Sequence, residues 1–284
     1  MKKQFIIAFI GVLVIFGLFW LGKTVNNTPP KASSQVSKPV NSFEIQNFIA
    51  SEKQKLTPAQ IQIISDFDNK IANTTIDSDK IKLLNTAAAY WKDSLQQPEI
   101  YSYLIAQAAK LENSEKNLTF AAQLFLNALR AEHDESKIAW ESEEAIELFQ
   151  KAIEINATNE DLKIGLGSCY IFGKGRNGDP QETMKGIQEL LGVVRRDSAN
   201  MKAQLMLGIG GLVSGQNEKA IVRLSKVVAA EPTNIEAVAF LADAYAANGN
   251  KVEAVKWYNV SKRLANDPGY TKEVNERIKT LENN

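Results

Sequence analysis

Apolar positions fall into three regimes along this chain. Residues 5–22, FIIAFIGVLVIFGLFWLG, form an unbroken apolar run without a charge. Residues 23–41, KTVNNTPPKASSQVSKPVN, keep no apolar period and contain Pro29, Pro30 and Pro39. From residue 42 onward apolar side chains return every three or four residues, the spacing that buries one face of a helix. Ile61, Ile64, Phe67 and Ile71 make one such face. Thr57-Pro58-Ala59-Gln60 opens it as a capping box with proline at the first helical position. No strand-like alternation of useful length interrupts the pattern, so an all-α fold is expected.

As a helix, the 18 residues of the first run span roughly 27 Å, close to the hydrocarbon thickness of a bilayer. Lys2 and Lys3 supply the positive flank that stays cytoplasmic, and Trp20 falls near the far interface. A cleaved signal peptide is the competing expectation. The exit Phe19-Trp20-Leu21-Gly22-Lys23 offers it no small-residue cleavage site, and no cysteine follows for lipoprotein processing. Residues 1–22 therefore read as a signal anchor, a single N-terminal transmembrane helix. Residues 23–41 read as a polar linker that reaches at most ~65 Å. This predicts a single-pass protein of the inner (cytoplasmic) membrane, N-terminus inside, with the remainder periplasmic. Lys23, Lys31 and Lys38 weaken the charge asymmetry and leave the reverse topology open.

The region beyond residue 75 repeats itself. Counting from Ile235, Leu241 is position 7, Ala242 is 8, Tyr245 is 11, Gly249 is 15, Ala254 is 20 and Tyr258 is 24. Counting from Met201, 34 residues earlier, Leu207, Gly208, Gly211, Gly215, Ala220 and Leu224 take the same positions, with Pro232 at 32. A third unit starts at Asn159-Glu160 with Leu166, Gly167 and Tyr170. After seven extra residues in its turn, Gly186, Leu190 and Val193 follow. A fourth starts near Ser114, with about twelve residues inserted before Ala145, Phe149 and Ala152. A fifth, near Lys80, is degenerate and keeps Ala87, Tyr90, Tyr103 and Ala106. The small residues at positions 8 and 20 are expected to face each other across a helix pair, where enlargement would force the helices apart.

This skeleton resembles the tetratricopeptide repeat (TPR), a helix–turn–helix unit of 34 residues. The resemblance implies a right-handed TPR solenoid over 80–268, about five units. A helical extension over 42–75 would precede it and a capping helix over 269–284 would close it. Tyr270, Val274, Ile278 and Leu281 share one face of that last helix. The anchor, the linker and the stretch 173–208 together also resemble a group of membrane-anchored TPR proteins of Gram-negative bacteria, a group that brings no enzymatic activity with it.

In TPR arrays the first helices line a concave groove. The resemblance would place there Leu118, Ala122 and Phe125 from the fourth unit, and Ile164, Ser168, Ile171 and Phe172 from the third. The last two units would add Leu205, Ile209, Leu212, Val213 and Asp243. The Lys and Asn with which some TPR proteins clamp a terminal carboxylate are absent from these positions. An open apolar groove calls for an occupant, and an amphipathic helix fits one. It could come from a partner protein, from a second copy, or from residues 42–74 of the same chain. Tight packing of first helices on one another is the reading without a ligand.

Composition narrows the function further. Lys+Arg and Asp+Glu both number 33, so no basic excess points to nucleic acid. His133 is the single histidine and Cys169 the single cysteine, which removes His-cluster and Cys-based metal sites and most histidine relays. Gly173-Lys174-Gly175-Arg176-Asn177-Gly178 lacks P-loop spacing and follows no strand. Asp179 and Glu182 behind it cap the next helix. The acidic run Glu132, Asp134, Glu135, Glu141, Glu143 and Glu144 reads as a solvated turn entering a helix N-terminus. No catalytic, cofactor or metal site is expected. The function predicted is a membrane-anchored scaffold for protein–protein interaction. A self-assembling protein with its own helices in the groove is the first alternative, and an enzyme with an unrecognised site the second.

Overall fold

The computed structural model describes residues 42–283, so the expected anchor over 5–22 and linker over 23–41 lie outside the described residues. Among the described residues there are thirteen α-helices and no strand, and no helix is long and apolar enough to cross a membrane. Helices α1 (Ile45–Lys53) and α2 (Pro58–Asn73) come first. At the start of α2, the Thr57 hydroxyl accepts from the Gln60 N–H at 3.4 Å and the Gln60 side chain accepts from the Thr57 N–H at 2.9 Å, the reciprocal capping box.

Five helix pairs follow, each helix packed on its successor. They are α3 (Asp77–Asp93) with α4 (Pro98–Glu112), α5 (Glu115–Ala131) with α6 (Glu135–Ile155), and α7 (Glu160–Tyr170) with α8 (Pro180–Arg196). Then come α9 (Met201–Val213) with α10 (Asn217–Ala230), and α11 (Ile235–Ala247) with α12 (Lys251–Ala265). Helix α13 (Pro268–Asn283) lies on α12, where Tyr270, Val274, Ile278 and Leu281 cluster with Ala242, Ala254 and Tyr258.

The repeat is visible bond by bond. Asn200 and Asn234, 34 residues apart, cap α9 and α11 by accepting from the Ala203 and Ala237 N–H groups at 3.0 Å. Gly215 and Gly249 close the turns after these helices with φ of 71° and 77°, a left-handed geometry that costs glycine nothing. Behind them the Gln216 N–H donates to the Gly211 carbonyl at 2.7 Å, and the Asn250 N–H to the Tyr245 carbonyl at 2.9 Å. Pro232 is exposed in the turn before α11.

Leu166, Leu207, Ala220, Leu224, Leu241, Ala242, Ala254 and Tyr258 are buried, and Tyr170 and Tyr245 edge the core. The facing of small residues is subtler than an 8-to-20 match. A Cβ on Gly186 would stand 2.6 Å from the Gly167 carbonyl oxygen, as expected for positions 20 and 8. In the next pair, however, Ala220 faces Gly211, and a Cβ on Gly208 would meet Leu224 at 2.6 Å. What both pairs share is a leucine seated on the glycine at position 8, since a Cβ on Gly167 would likewise meet Leu190 at 2.9 Å. Position 8 is small because it is the socket for that leucine.

The two insertions become packed structure. In the second pair they lengthen both helices, to 17 residues in α5 and 21 in α6, against 13 in α9 and 14 in α10. In the third they form a π-helical turn, Ile171–Gly175, and a short loop to Asp179. This turn presses on α6: a Cβ on Gly173 would lie 2.2 Å from Ser142 Oγ. Lys174 pairs with Glu143 at 2.6 Å, and Arg176 donates to the Glu132 carbonyl.

Candidate partner-binding site

Nine of the twelve groove candidates are buried within the chain: Leu118, Ala122, Phe125, Ile164, Ser168, Ile171, Phe172, Leu205 and Ile209. Leu212 and Val213 pack at the edge of the same core. Asp243 accepts from the Tyr258 hydroxyl and from Arg277 Nη1, the latter at 3.1 Å, and so serves the seat of α13. The expected apolar groove is closed along this line. Helix α7 lies against both α5 and α9, and the π-helical turn touches both as well, so the apolar positions mate with one another. Among the first helices, the N-terminal extension packs on α3 through α2, with the Phe67 and Tyr90 rings 6.1 Å apart. Phe43 packs on Trp140 of α6 at 4.9 Å, Gln46 donates to the Tyr103 hydroxyl of α4 at 2.7 Å, and Gln97 donates to Glu52 at 3.0 Å.

An open apolar surface lies where α4, α5 and α6 converge. A half-open cleft of about 610 Å³ is walled there by Tyr101, Phe120, Leu124, Phe125 and Trp140, with Ala128 and Ala131 keeping it wide. Phe120 leaves 50% of its surface exposed. Trp140 is fixed by Phe125, edge-on at 5.3 Å, and by Phe43 on another side. Ala131, Glu132, Trp140 and Glu141 belong to the inserted turns, so the insertion builds the cleft.

Its polar lining is acidic. Among the described residues, Glu99, Glu132 and Glu141 line it with one cation, Lys92, whose ammonium sits 5.0 Å over the Tyr101 ring. Lys137 spans Glu99 at 2.6 Å and Glu132 at 3.9 Å. Burial works against its ammonium, yet Glu99, Glu132 and Glu141 hold its pKa above the ordinary lysine value. Glu132 also accepts from the backbone N–H groups of His133 and Asp134 at 2.7 and 2.9 Å. Against the opposing effect of burial, these bonds and Lys137 hold its pKa below the usual carboxylate value.

Glu141 is different. It is 3% exposed, and its Oε2 is buried without a hydrogen-bond partner among the described residues. Burial first, and then the Glu132 carboxylate, push its pKa up to about 8. The sequence reading placed Glu141 in a solvated acidic run and missed it. The signal was its register, because Ile138, Glu141, Ala145, Leu148 and Ala152 form one stripe of α6 in which every other member is apolar and buried.

The remaining candidates for chemistry stay apart from the cleft. His133 is exposed, and Cys169 is fully buried with its thiol pushed well above the ordinary range by desolvation. No group of His, Cys, Asp and Glu among the described residues could hold a metal ion.

A tetratricopeptide-repeat family model matches residues 212–271, the end of α9 through the start of α13. No curated protein matches the chain. Among solved structures, the thermophilic TPR protein TTC0263 of Thermus thermophilus is similar with a TM-score of 0.52 at 16% identity, covering 71% of this chain and 98% of that one. PilW, described as a widely conserved type IV pilus biogenesis factor, gives 0.48 at 15% identity over 70% and 92% of the two chains. YrrB, described as a TPR protein with an unusual peptide-binding site, gives 0.43 at 15% identity over 74% and 97%. The matched segment and the likeness to TTC0263 give the described residues an all-α solenoid fold of the tetratricopeptide-repeat type.

Proposed function

We propose that this chain is a non-catalytic scaffold that docks a segment of another protein in the cleft between α4, α5 and α6. One observation carries the reading: a solenoid that buries most of its first-helix apolar positions leaves Phe120, Leu124 and Trp140 facing an open cleft of about 610 Å³. Rigid aromatic and aliphatic walls on a packed scaffold are what an anchoring side chain needs. The extension already covers α4 and α6 of its own chain through Phe43 and Gln46, which favours a separate partner over an exchange of extensions between copies. In this proposal residues 5–22 anchor the protein in the inner membrane with its N-terminus inside, and the repeats work in the periplasm.

The test is a photo-crosslinking residue at Leu124 of the full-length protein in its own cells, with Val222 as the control. Val222 is 68% exposed and remote in sequence from the cleft. A discrete adduct with another protein from Leu124 alone is expected. Equal adducts from both sites, or none from Leu124, would overturn the reading. For the topology, a C-terminal alkaline phosphatase fusion should be active and a C-terminal fluorescent-protein fusion exported through the same route dark; the opposite pair would put the repeats in the cytoplasm.

A further inference from the structure

We infer that the docked segment is basic: it inserts a lysine or arginine flanked by apolar residues, and the cation sits on Glu141. This rests on the docking reading above. Three observations lead there. The walls, Tyr101, Phe120, Leu124 and Trp140, suit the methylene stem of a long cationic side chain and the apolar residues beside it. The ionisable lining among the described residues is three carboxyls against Lys92, so the cleft complements a positive charge once Glu141 gives up its proton. The deepest of those carboxyls, Glu141, is buried with Oε2 unpartnered, whereas Glu132 is satisfied by backbone N–H groups and Glu99 by Lys137. An unsatisfied buried carboxyl is costly, and an arriving ammonium or guanidinium supplies the missing donor.

Binding of this kind exchanges a cation for a proton. The groups that face Glu141 are Glu99 from α4, Glu132 from the turn, Lys137 from α6 itself and Arg176 from the loop after the π-helical turn. Burial, Glu132 and Glu99, against the opposing pull of Lys137 and Arg176, keep Glu141 protonated below about pH 8. A cation seated on it displaces that proton, so affinity for the basic segment climbs with pH and levels off above about 8. Neutral segments bind through the walls alone and show no such climb.

The experiment uses the full-length protein in detergent and fluorescein-labelled, end-blocked nonapeptides. Each peptide has leucines flanking a central Lys, Arg, Gln, norleucine or Glu, and affinity is read by polarisation. Lys and Arg centres should bind at least about tenfold tighter than Gln, and Glu141→Gln should erase that preference. In the wild type the Lys-centred peptide should tighten by up to about tenfold per pH unit between pH 6 and 8, a readout that needs no variant. Retention of the preference in Glu141→Gln, or a flat pH profile, would overturn the inference. If Phe120→Ala weakens every peptide alike and no centre is preferred, docking in the cleft stands and the basic segment is overturned. If no peptide binds, or the protein runs as a dimer that excludes peptide, both are overturned.

Discussion

Glu141 shows how much a single position carries. The apolar stripe of α6 was legible in Ala145, Phe149 and Ala152, but a carboxylate among Glu143, Glu144 and Asp134 reads as solvent-facing until the helix is extended back to Glu135. Its consequence for stability has a definite sign. The folded chain holds the proton up to about pH 8 while the unfolded chain releases it near 4.5, so the stabilisation is complete below 4.5 and is lost as pH rises to about 8. The loss is up to ~1.4 kcal/mol per pH unit. Urea unfolding at pH 5.5 and 7.5 should show this decline in the wild type and a smaller one in Glu141→Gln; equal declines would mean the carboxyl is not buried as described. The glycines offer a second contrast, and here the sequence pattern was informative. Gly186→Ala puts a Cβ 2.6 Å from the Gly167 carbonyl oxygen and should cost ~1–3 kcal/mol. Gly192→Ala in the same helix meets nothing within 4 Å and should stabilise by up to ~1 kcal/mol through helix propensity. Similar effects from the two would refute the close approach of α7 and α8.

Element starts were readable because capping chemistry is local. Thr57, Asp179, Asn200 and Asn234 each accept from N–H groups of the first turn that follows. Insertions were not readable, because whether extra residues loop out or lengthen a helix depends on what they pack against. Asp134 caps α6 by accepting from Ser136 and Lys137, a signal present in the sequence but submerged in the acidic run. The partner of those extra turns is the π-helical turn of the next unit, where Lys174 reaches Glu143 across 31 residues of sequence, and no local pattern announces it. This mutual support is testable by a double-mutant cycle. Gly173→Ala forces a Cβ into Ser142 and should destabilise by ~1–3 kcal/mol. Adding Ser142→Gly should recover part of the loss, with a coupling of at least ~0.5 kcal/mol in thermal or urea unfolding. Strict additivity would show that the two insertions do not touch.

At the scale of the whole molecule, the 34-residue period was enough to set the order of the helix pairs, since Leu207, Gly208 and Ala220 repeat in Leu241, Ala242 and Ala254. It was not enough to locate the open surface. Groove positions were transferred from regular arrays, and this array is irregular: Ile171 and Phe172 enter the core at the π-helical turn, while the lengthened α5 and α6 open a cleft one unit earlier. The central claim is that this cleft, and not the face lined by α7 and α9, receives the partner. Hydrogen exchange of the full-length protein, alone and with the lysine-centred nonapeptide, tests it most directly. Slower exchange confined to residues 98–104, 120–132 and 137–142 is the expected result. Protection of residues 164–172 and 201–213, with the cleft unchanged, would contradict the account.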